Sequence, residues 1–514
     1  MKKIYLITLI AALPFVAQGQ SALDALRYSQ NFYSGTARSA AMGNAVTALG
    51  GDFGSLSINP AGSAVYPYSE FIFTPSIHNA VSQSAYSGST FDDNLGRMGI
   101  SNIGYVGARK TSNYSGVVGF SFGIGYNGVN NYTHHSSLSG VTNESSWLAA
   151  LAYNTGGYHA YDLDLNDRQD PFYTTSAPWR AILAWNTSLL DTIPGTRGRE
   201  YIAATESFKG NEIGISGNLN QNYYRKSIGS SGEYVFNLGV NISHRLFLGV
   251  NLGVHSIYYE THEQFSESAV NKNEFYQSEF HNFTHTYYQK TDGTGVNFKF
   301  GAILVPVDNL RLGFSISTPT WMSLNEEWEE TITANFTDGY HQTLKSPLGT
   351  YEYQVYTPFR WNLGAALTFG PYGAISVDYE KVAYNRINMS STGTTNPFLD
   401  ENTYIKREFA DARNVRAGLE LNLNSEFALR GGYAFYGNPE KNWGFDTHIA
   451  SIGIGLNWGG AFFTDLTFMQ QFAQKENFSL YDDITEGSQV IYPAPVGTQT
   501  SSNWKLLFSL GLRF

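Results

Sequence analysis

From Asn503 to Phe514 the chain alternates with a period of two. Trp504, Leu506, Phe508, Leu510, Leu512 and Phe514 share one face of an extended strand, and Asn503, Lys505, Leu507, Ser509, Gly511 and Arg513 share the other. One face is wholly apolar and the other mostly polar, which is what a strand needs between lipid and a polar lumen. A soluble sandwich strand shows the same pattern locally, so repetition decides. About fourteen such segments follow one another, and each is about ten residues long, enough to cross a bilayer when tilted. They lie near 68–78, 101–110, 115–127, 233–243, 246–259, 295–305 and 310–321. The remainder lie near 357–369, 372–382, 413–423, 426–436, 447–458, 461–472 and 503–514.

Short turns at Pro306-Val307-Asp308-Asn309, Gly370-Pro371, Asn424-Ser425 and Gly459-Gly460 alternate with long connections, the largest spanning 128–232. Long loops at one end and tight turns at the other are the asymmetry of transmembrane barrels. The expected fold is therefore an all-β, transmembrane antiparallel β-barrel of about fourteen strands. An even strand count puts both ends of the barrel on the periplasmic side.

Composition removes other classes. No later stretch supplies the roughly 20 consecutive apolar residues of a membrane helix. The run from Ile4 to Val16 follows Lys2 and Lys3, is interrupted by Pro14, and leads into Ala17-Gln18-Gly19. That is the layout of a signal peptide, expected over 1–20. A net charge of -11 without a basic patch excludes nucleic acid as the natural partner. With 0 Cys, there are no disulfides, thiolate nucleophiles or thiolate metal sites.

Strand parity assigns the charges. Arg360 and Asn362 alternate with Phe359, Trp361 and Leu363, and Arg416 and Glu420 alternate with Val415, Leu419 and Leu421. The same rule places Lys299, Arg311, Asp378, Glu380, Arg430, Asp465, Lys505 and Arg513 in the lumen. A slip of one residue would move these charges into lipid at about 2–4 kcal/mol for each basic residue near mid-membrane, so the register is tightly specified. Two readings of the charges follow. They form a satisfied ion-pair ladder, or Arg360, Arg416 and Lys299 hold the carboxylate of a ligand.

Residues 21–67 lack the alternation. Arg38 to Asp52 reads as a short helix ending at Gly50-Gly51, followed by Ser57-Ile58-Asn59-Pro60-Ala61-Gly62. Pro60 donates no N–H and holds Asn59 extended, and Gly62 permits a tight bend. A small-residue segment ending in Asn59-Pro60-Ala61-Gly62 just before the first strand resembles the long-chain fatty-acid transporter family of the outer membrane, which includes aromatic-hydrocarbon channels. The resemblance extends through Gly293 to Gly301 and Leu310 to Ser315. It implies an N-terminal hatch over 21–67 inside a barrel over 68–514. It also implies a kinked wall strand that opens sideways, for which the glycine-rich third strand, with Gly119 and Gly123, is the candidate. The alternative reading of those glycines is room for the hatch. The terminal aromatic Phe514 resembles the signal read by the barrel assembly machinery, making that machinery and outer-membrane lipid the expected partners.

Helical stretches at 146–153 and 178–185 in the longest loop read either as a capture surface for apolar ligands or as the loop's own core. Gly119-Phe120-Ser121-Phe122-Gly123 matches a nucleophile elbow in letters only, because Ser121 lies mid-strand. Gly123 to Gly128 matches a dinucleotide fingerprint, but no helix follows. No catalytic residue, metal or cofactor is expected. The expected function is passive uptake of long-chain fatty acids or similar hydrophobic small molecules through the outer membrane. The alternative is a haem receptor using His281 and His285.

Overall fold

The computed structural model describes residues 21–514 apart from 211, 392, 394, 395, 482, 487, 488 and 493. The expected signal peptide, 1–20, lies outside the described residues. No helix among them is long and apolar enough to cross a membrane. The chain instead forms a closed antiparallel barrel.

Its wall runs β1 (Glu70–Tyr86), β2 (Ser89–Lys110), β3 (Val117–Asn131, continued by His134–Thr142), β4 (Leu219–Ile242), β5 (Leu246–Ala269), β6 (Phe280–Val307) and β7 (Leu310–Ser317, continued by Trp321–Phe336). It continues through β8 (Gly349–Tyr356 and Arg360–Thr368), β9 (Gly373–Ala383 and Asn388–Ser391), β10 (Asp411–Asn422), β11 (Phe427–Tyr436), β12 (Thr447–Trp458), β13 (Phe462–Ser479) and β14 (Val496–Arg513). Sequential neighbours pair throughout. The pairing of β1 with β14, from Glu70 opposite Arg513 to Ala85 opposite Thr498, closes the cylinder and leaves no terminal edge strand. Each of the fourteen expected segments coincides with one of these strands to within a few residues at its ends.

Parity holds as well. Phe359, Leu363, Phe508 and Leu512 are exposed on the outer surface, while Arg360, Asn362, Arg416, Glu420 and Ser509 are buried inside. Phe122, Leu238, Val250, Phe300 and Ile316 lie in one cross-strand row of the apolar belt, with Ile124, Phe236, Leu252 and Phe298 in the next. The strands run well beyond that belt at the loop end. β6 begins at Phe280 rather than near 295, and the longest connection shrinks to 143–218. Beyond the belt both faces meet water or the loops, so segments such as Thr261-His262-Glu263-Gln264 lose the alternation while keeping their ladder bonds.

The N-terminal segment lies within the wall. Helix α1 (Ala22–Ser29) is closed by a capping box between Ser21 and Asp24, and helix α2 (Ala37–Ala41) by one between Thr36 and Ser39. Two 3₁₀ turns, Phe53–Ser57 and Pro60–Val65, complete it. The helix expected over 38–52 is thus confined to five residues, and α1 was not anticipated. Gly43 and Asn44 adopt positive φ of 62° and 57°, which ends α2. Gly43 also lies against the backbone of Ala417 and Tyr433, where a Cβ would come within 2.9 Å of the Ala417 carbonyl oxygen.

The wall admits this segment through a row of small residues. Ser121, Gly239, Gly249, Gly301 and Ser315 pair across β3 to β7. A Cβ on Gly249 would sit 2.3 Å from the Pro60 carbonyl, and one on Gly301 would sit 1.8 Å from Asn59 Oδ1. The outer side of the same wall carries an apolar depression of about 740 Å³ lined by Phe122, Leu238, Val250 and Phe300 among others.

Candidate functional site: the occupied lumen

The inward charges form the ladder that parity suggested. Lys299 Nζ bonds both Glu233 carboxylate oxygens at 2.6 and 2.7 Å and the Ser57 carbonyl at 2.8 Å. Arg360 pairs with Glu380 at 3.5 Å, donates to the Ser29 carbonyl and lies over the Tyr384 ring. Arg416, fully buried, contacts Glu380 at 3.4 Å, Asp378 at 4.0 Å and Asn362 Oδ1 at 2.8 Å. Arg430 bridges Glu420 and Asp465 at 2.6 and 2.5 Å. Arg38, from the N-terminal segment, joins Glu420 at 2.8 Å.

Arg360, Arg416 and Lys299, expected as partners for a ligand carboxylate, are found in ion pairs within the wall. Each already has a buried carboxylate partner, and a second acid would have to displace it. Lys299 and Arg360 also donate to main-chain carbonyls of the N-terminal segment, and Asp378 accepts from the Thr47 N–H at 2.9 Å and hydroxyl at 2.6 Å. The ladder therefore fixes the segment to the wall.

Asn59-Pro60-Ala61-Gly62 performs the same work without charge. Asn59 Nδ2 donates to the Thr47 carbonyl at 2.6 Å and to Ala302 at 3.2 Å, while its Oδ1 caps the Ala61 N–H at 3.1 Å. The Pro60 carbonyl accepts from Asn237 at 3.0 Å, and the Gly62 N–H closes the turn on the Asn59 carbonyl at 3.0 Å. Ser121, of the discarded elbow motif, donates to Ser63 at 2.9 Å.

Gly119 and Gly123 do not mark a gap. Gly119 is paired with Lys110 and Asn241, and Gly123 with Val106 and Asn237, so the ladder is continuous on both sides. A Cβ at Gly123 would touch Leu56 at 3.0 Å, in keeping with room for the N-terminal segment. The ladder between β2 and β3 ends farther along, at Asn102 opposite Asn127. There the segment takes over, its Ser34 and Phe32 N–H groups donating to the Gly128 and Val129 carbonyls at 3.1 and 3.0 Å. Those backbone partners carry no sequence motif, so only the register reveals them.

At the loop end, helices α3 (Trp147–Asn154) and α4 (Trp179–Asn186) bury Trp147, Leu148, Leu151, Ile182 and Leu183 against Phe265, Phe280, Phe283 and Ile332. They are the loop's own core rather than an open groove. His285 is stacked under Trp147 at 5.0 Å and gives Nε2 to Glu330 at 2.8 Å, so it presents no open face to a haem.

Beneath α3, the buried Glu267 accepts from the Ser146 hydroxyl at 2.7 Å, the Trp147 N–H at 2.7 Å and Gln221 at 2.8 Å. Burial raises its carboxyl from 4.5 to about 7 against those bonds, which favour the ionised form. A carboxyl with a folded value above its unfolded one stabilises the fold most when protonated, so stability conferred on this cap falls as pH rises from about 4.5 through about 7. Amide exchange across 147–154, corrected for its intrinsic rate, will be faster at pH 8 than at pH 5. Glu267→Gln will flatten that dependence, and an unchanged slope in this variant would refute the assignment.

Fold and lumen together define a class: a closed fourteen-stranded barrel with an apolar outer belt and its own N-terminal segment inside. No protein-family model matches the sequence, and no curated protein matches it. Solved structures do match in fold. The toluene transporter TodX of Pseudomonas putida superposes with a TM-score of 0.51 at 13% identity, covering 95% of this chain and 100% of that one. A FadL homologue from Pseudomonas aeruginosa gives a TM-score of 0.53 at 12% identity, covering 94% and 98%.

Proposed function

We propose that this protein is an outer-membrane channel of a Gram-negative bacterium for the passive uptake of long-chain fatty acids or similar hydrophobic small molecules. The observation that carries the reading is a lumen closed by the chain's own N-terminal segment, held largely by exchangeable hydrogen bonds and ion pairs. A toluene transporter and a FadL homologue share the fold. On this reading 1–20 is a signal peptide, 21–67 a hatch and 68–514 the barrel, whose last strand and Phe514 are read by the assembly machinery. Ligand gathers at the loop end, loosens the hatch, and moves down its gradient without energy coupling. Neither catalysis nor a cofactor enters.

Uptake of radiolabelled palmitate and toluene by cells with and without the gene tests this directly. Expression should raise accumulation of at least one of them, with no requirement for ATP. Equal accumulation of both in the two strains would defeat the proposal.

A further inference from the structure

Seven basic residues face the lumen by parity, and five of them have carboxylate partners: Lys299, Arg360, Arg416, Arg430 and Arg513. Arg311, near the turn end, donates to the Leu49 carbonyl at 2.8 Å. Lys505 is different. Its one hydrogen-bond partner among the described residues is the Ser34 hydroxyl, at 3.0 Å. Its cross-strand neighbours on the inner face are His78 of β1 and Met469 of β13, neither of which offers an anion. Within the described residues no carboxylate lies in ion-pair reach of it.

His78 reinforces the contrast. It is 6% exposed, yet neither ring nitrogen has a hydrogen-bond partner. A buried polar group is normally satisfied, and a buried cation is normally paired. The first rule is suspended at His78, and the partly buried Lys505 facing it on the adjacent strand has one neutral hydroxyl from the N-terminal segment as its partner.

We propose that Lys505 and His78 form the lumen's subsite for the carboxylate of a long-chain fatty acid, which binds by replacing Ser34 on the Lys505 ammonium. This deepens the uptake reading and rests on it. A carboxylate is the stronger partner for an ammonium than a hydroxyl, through a charge-assisted bond. The neighbouring residues Phe32 and Ser34 cover the Gly128 and Val129 carbonyls where the β2–β3 ladder ends. Occupation of the subsite thereby withdraws the segment from that part of the wall, coupling ligand arrival to loosening of the hatch. Of the other six lumen cations, five would have to break an existing ion pair to take palmitate, and Arg311 lies near the turn end, bonded to the Leu49 carbonyl.

The test compares palmitate with hexadecanol, of equal chain length but uncharged, on the full-length protein in detergent. Wild type is expected to prefer palmitate by about tenfold or more, the scale of a charged hydrogen bond against a neutral one. Lys505→Met abolishes that preference while hexadecanol affinity holds, and Lys505→Arg retains it. Removing this lysine orphans no acid, so the variant should fold, and Lys505→Gln, still able to bond Ser34, serves as a second neutral variant. A preference undiminished in both neutral variants overturns this inference and leaves the uptake reading standing. If wild type binds neither compound, the functional reading falls, and this inference with it.

Discussion

Replacing Gly249 and Gly301 together with leucine will open the barrel to ions. Both glycines face inward and sit directly opposite each other on β5 and β6, with the Pro60 turn resting on their backbones. Added Cβ atoms would fall 2.3 Å from the Pro60 carbonyl and 1.8 Å from Asn59 Oδ1, well inside contact distance. The wall cannot retreat without breaking its ladder, so the hatch must. Once Asn59 leaves, its bonds to Thr47 and Ala302 are lost, and the remaining contacts give up their main-chain partners. Overpacking of this kind costs about 1–3 kcal/mol per site when neighbours can shift. Here the shift is the displacement of the hatch. Conductance in planar bilayers should rise by about tenfold or more, toward that of a water-filled barrel. Gly431→Leu supplies the control, because a Cβ there meets nothing within 4 Å. Unchanged conductance in a double variant that still folds into a heat-modifiable barrel would mean that the hatch does not seal the lumen.

The parts of this fold that sequence reveals are those where two solvents meet across one strand. Between Phe120 and Tyr126, or Phe298 and Phe300, lipid on one side and a packed lumen on the other impose the period of two, and register follows because a slip would expose Lys299 or Arg416 to lipid. Outside the belt the same strands become illegible. Nothing in Thr284-His285-Thr286 distinguishes a wall strand from a loop, although each residue is paired there with β5 and β7. The site divides along similar lines. The inward direction of Arg360, Arg416 and Lys299 was evident from parity, but their partners were not. Lys299 meets Glu233 from a strand 66 positions away, and Arg416 meets Glu380 from one 36 positions away. Lys505 was placed in the lumen with the others. Its lack of an acid becomes visible only when the register sets it between His78 and Met469. Asn59-Pro60-Ala61-Gly62 was recognisable because Pro and Gly restrict the backbone in ways a sequence shows directly, whereas α1 is recognisable mainly by its cap.

The Lys299–Glu233 pair separates a structural cation from a ligand-binding one. Both side chains are buried, Glu233 fully, and the carboxylate has two short bonds from Lys299 and one longer bond of 3.3 Å from Asn251. Lys299→Met leaves a buried carboxylate with little compensation, and breaking a buried pair in this way costs about 3–5 kcal/mol. Adding Glu233→Gln removes the orphaned charge, and the double variant is expected to recover most of that loss, since replacing a buried pair as a unit is often close to neutral. Urea unfolding of the protein in lipid vesicles should therefore order the three as wild type, double variant, then Lys299→Met. Palmitate affinity should remain near wild type in the double variant. A lysine reserved for ligand would behave oppositely: the single variant would lose little stability, and both variants would lose palmitate by the same factor. The close fit between Lys299 Nζ, both Glu233 oxygens and the Ser57 carbonyl favours the first outcome, because it leaves the ammonium no donor for a second acid.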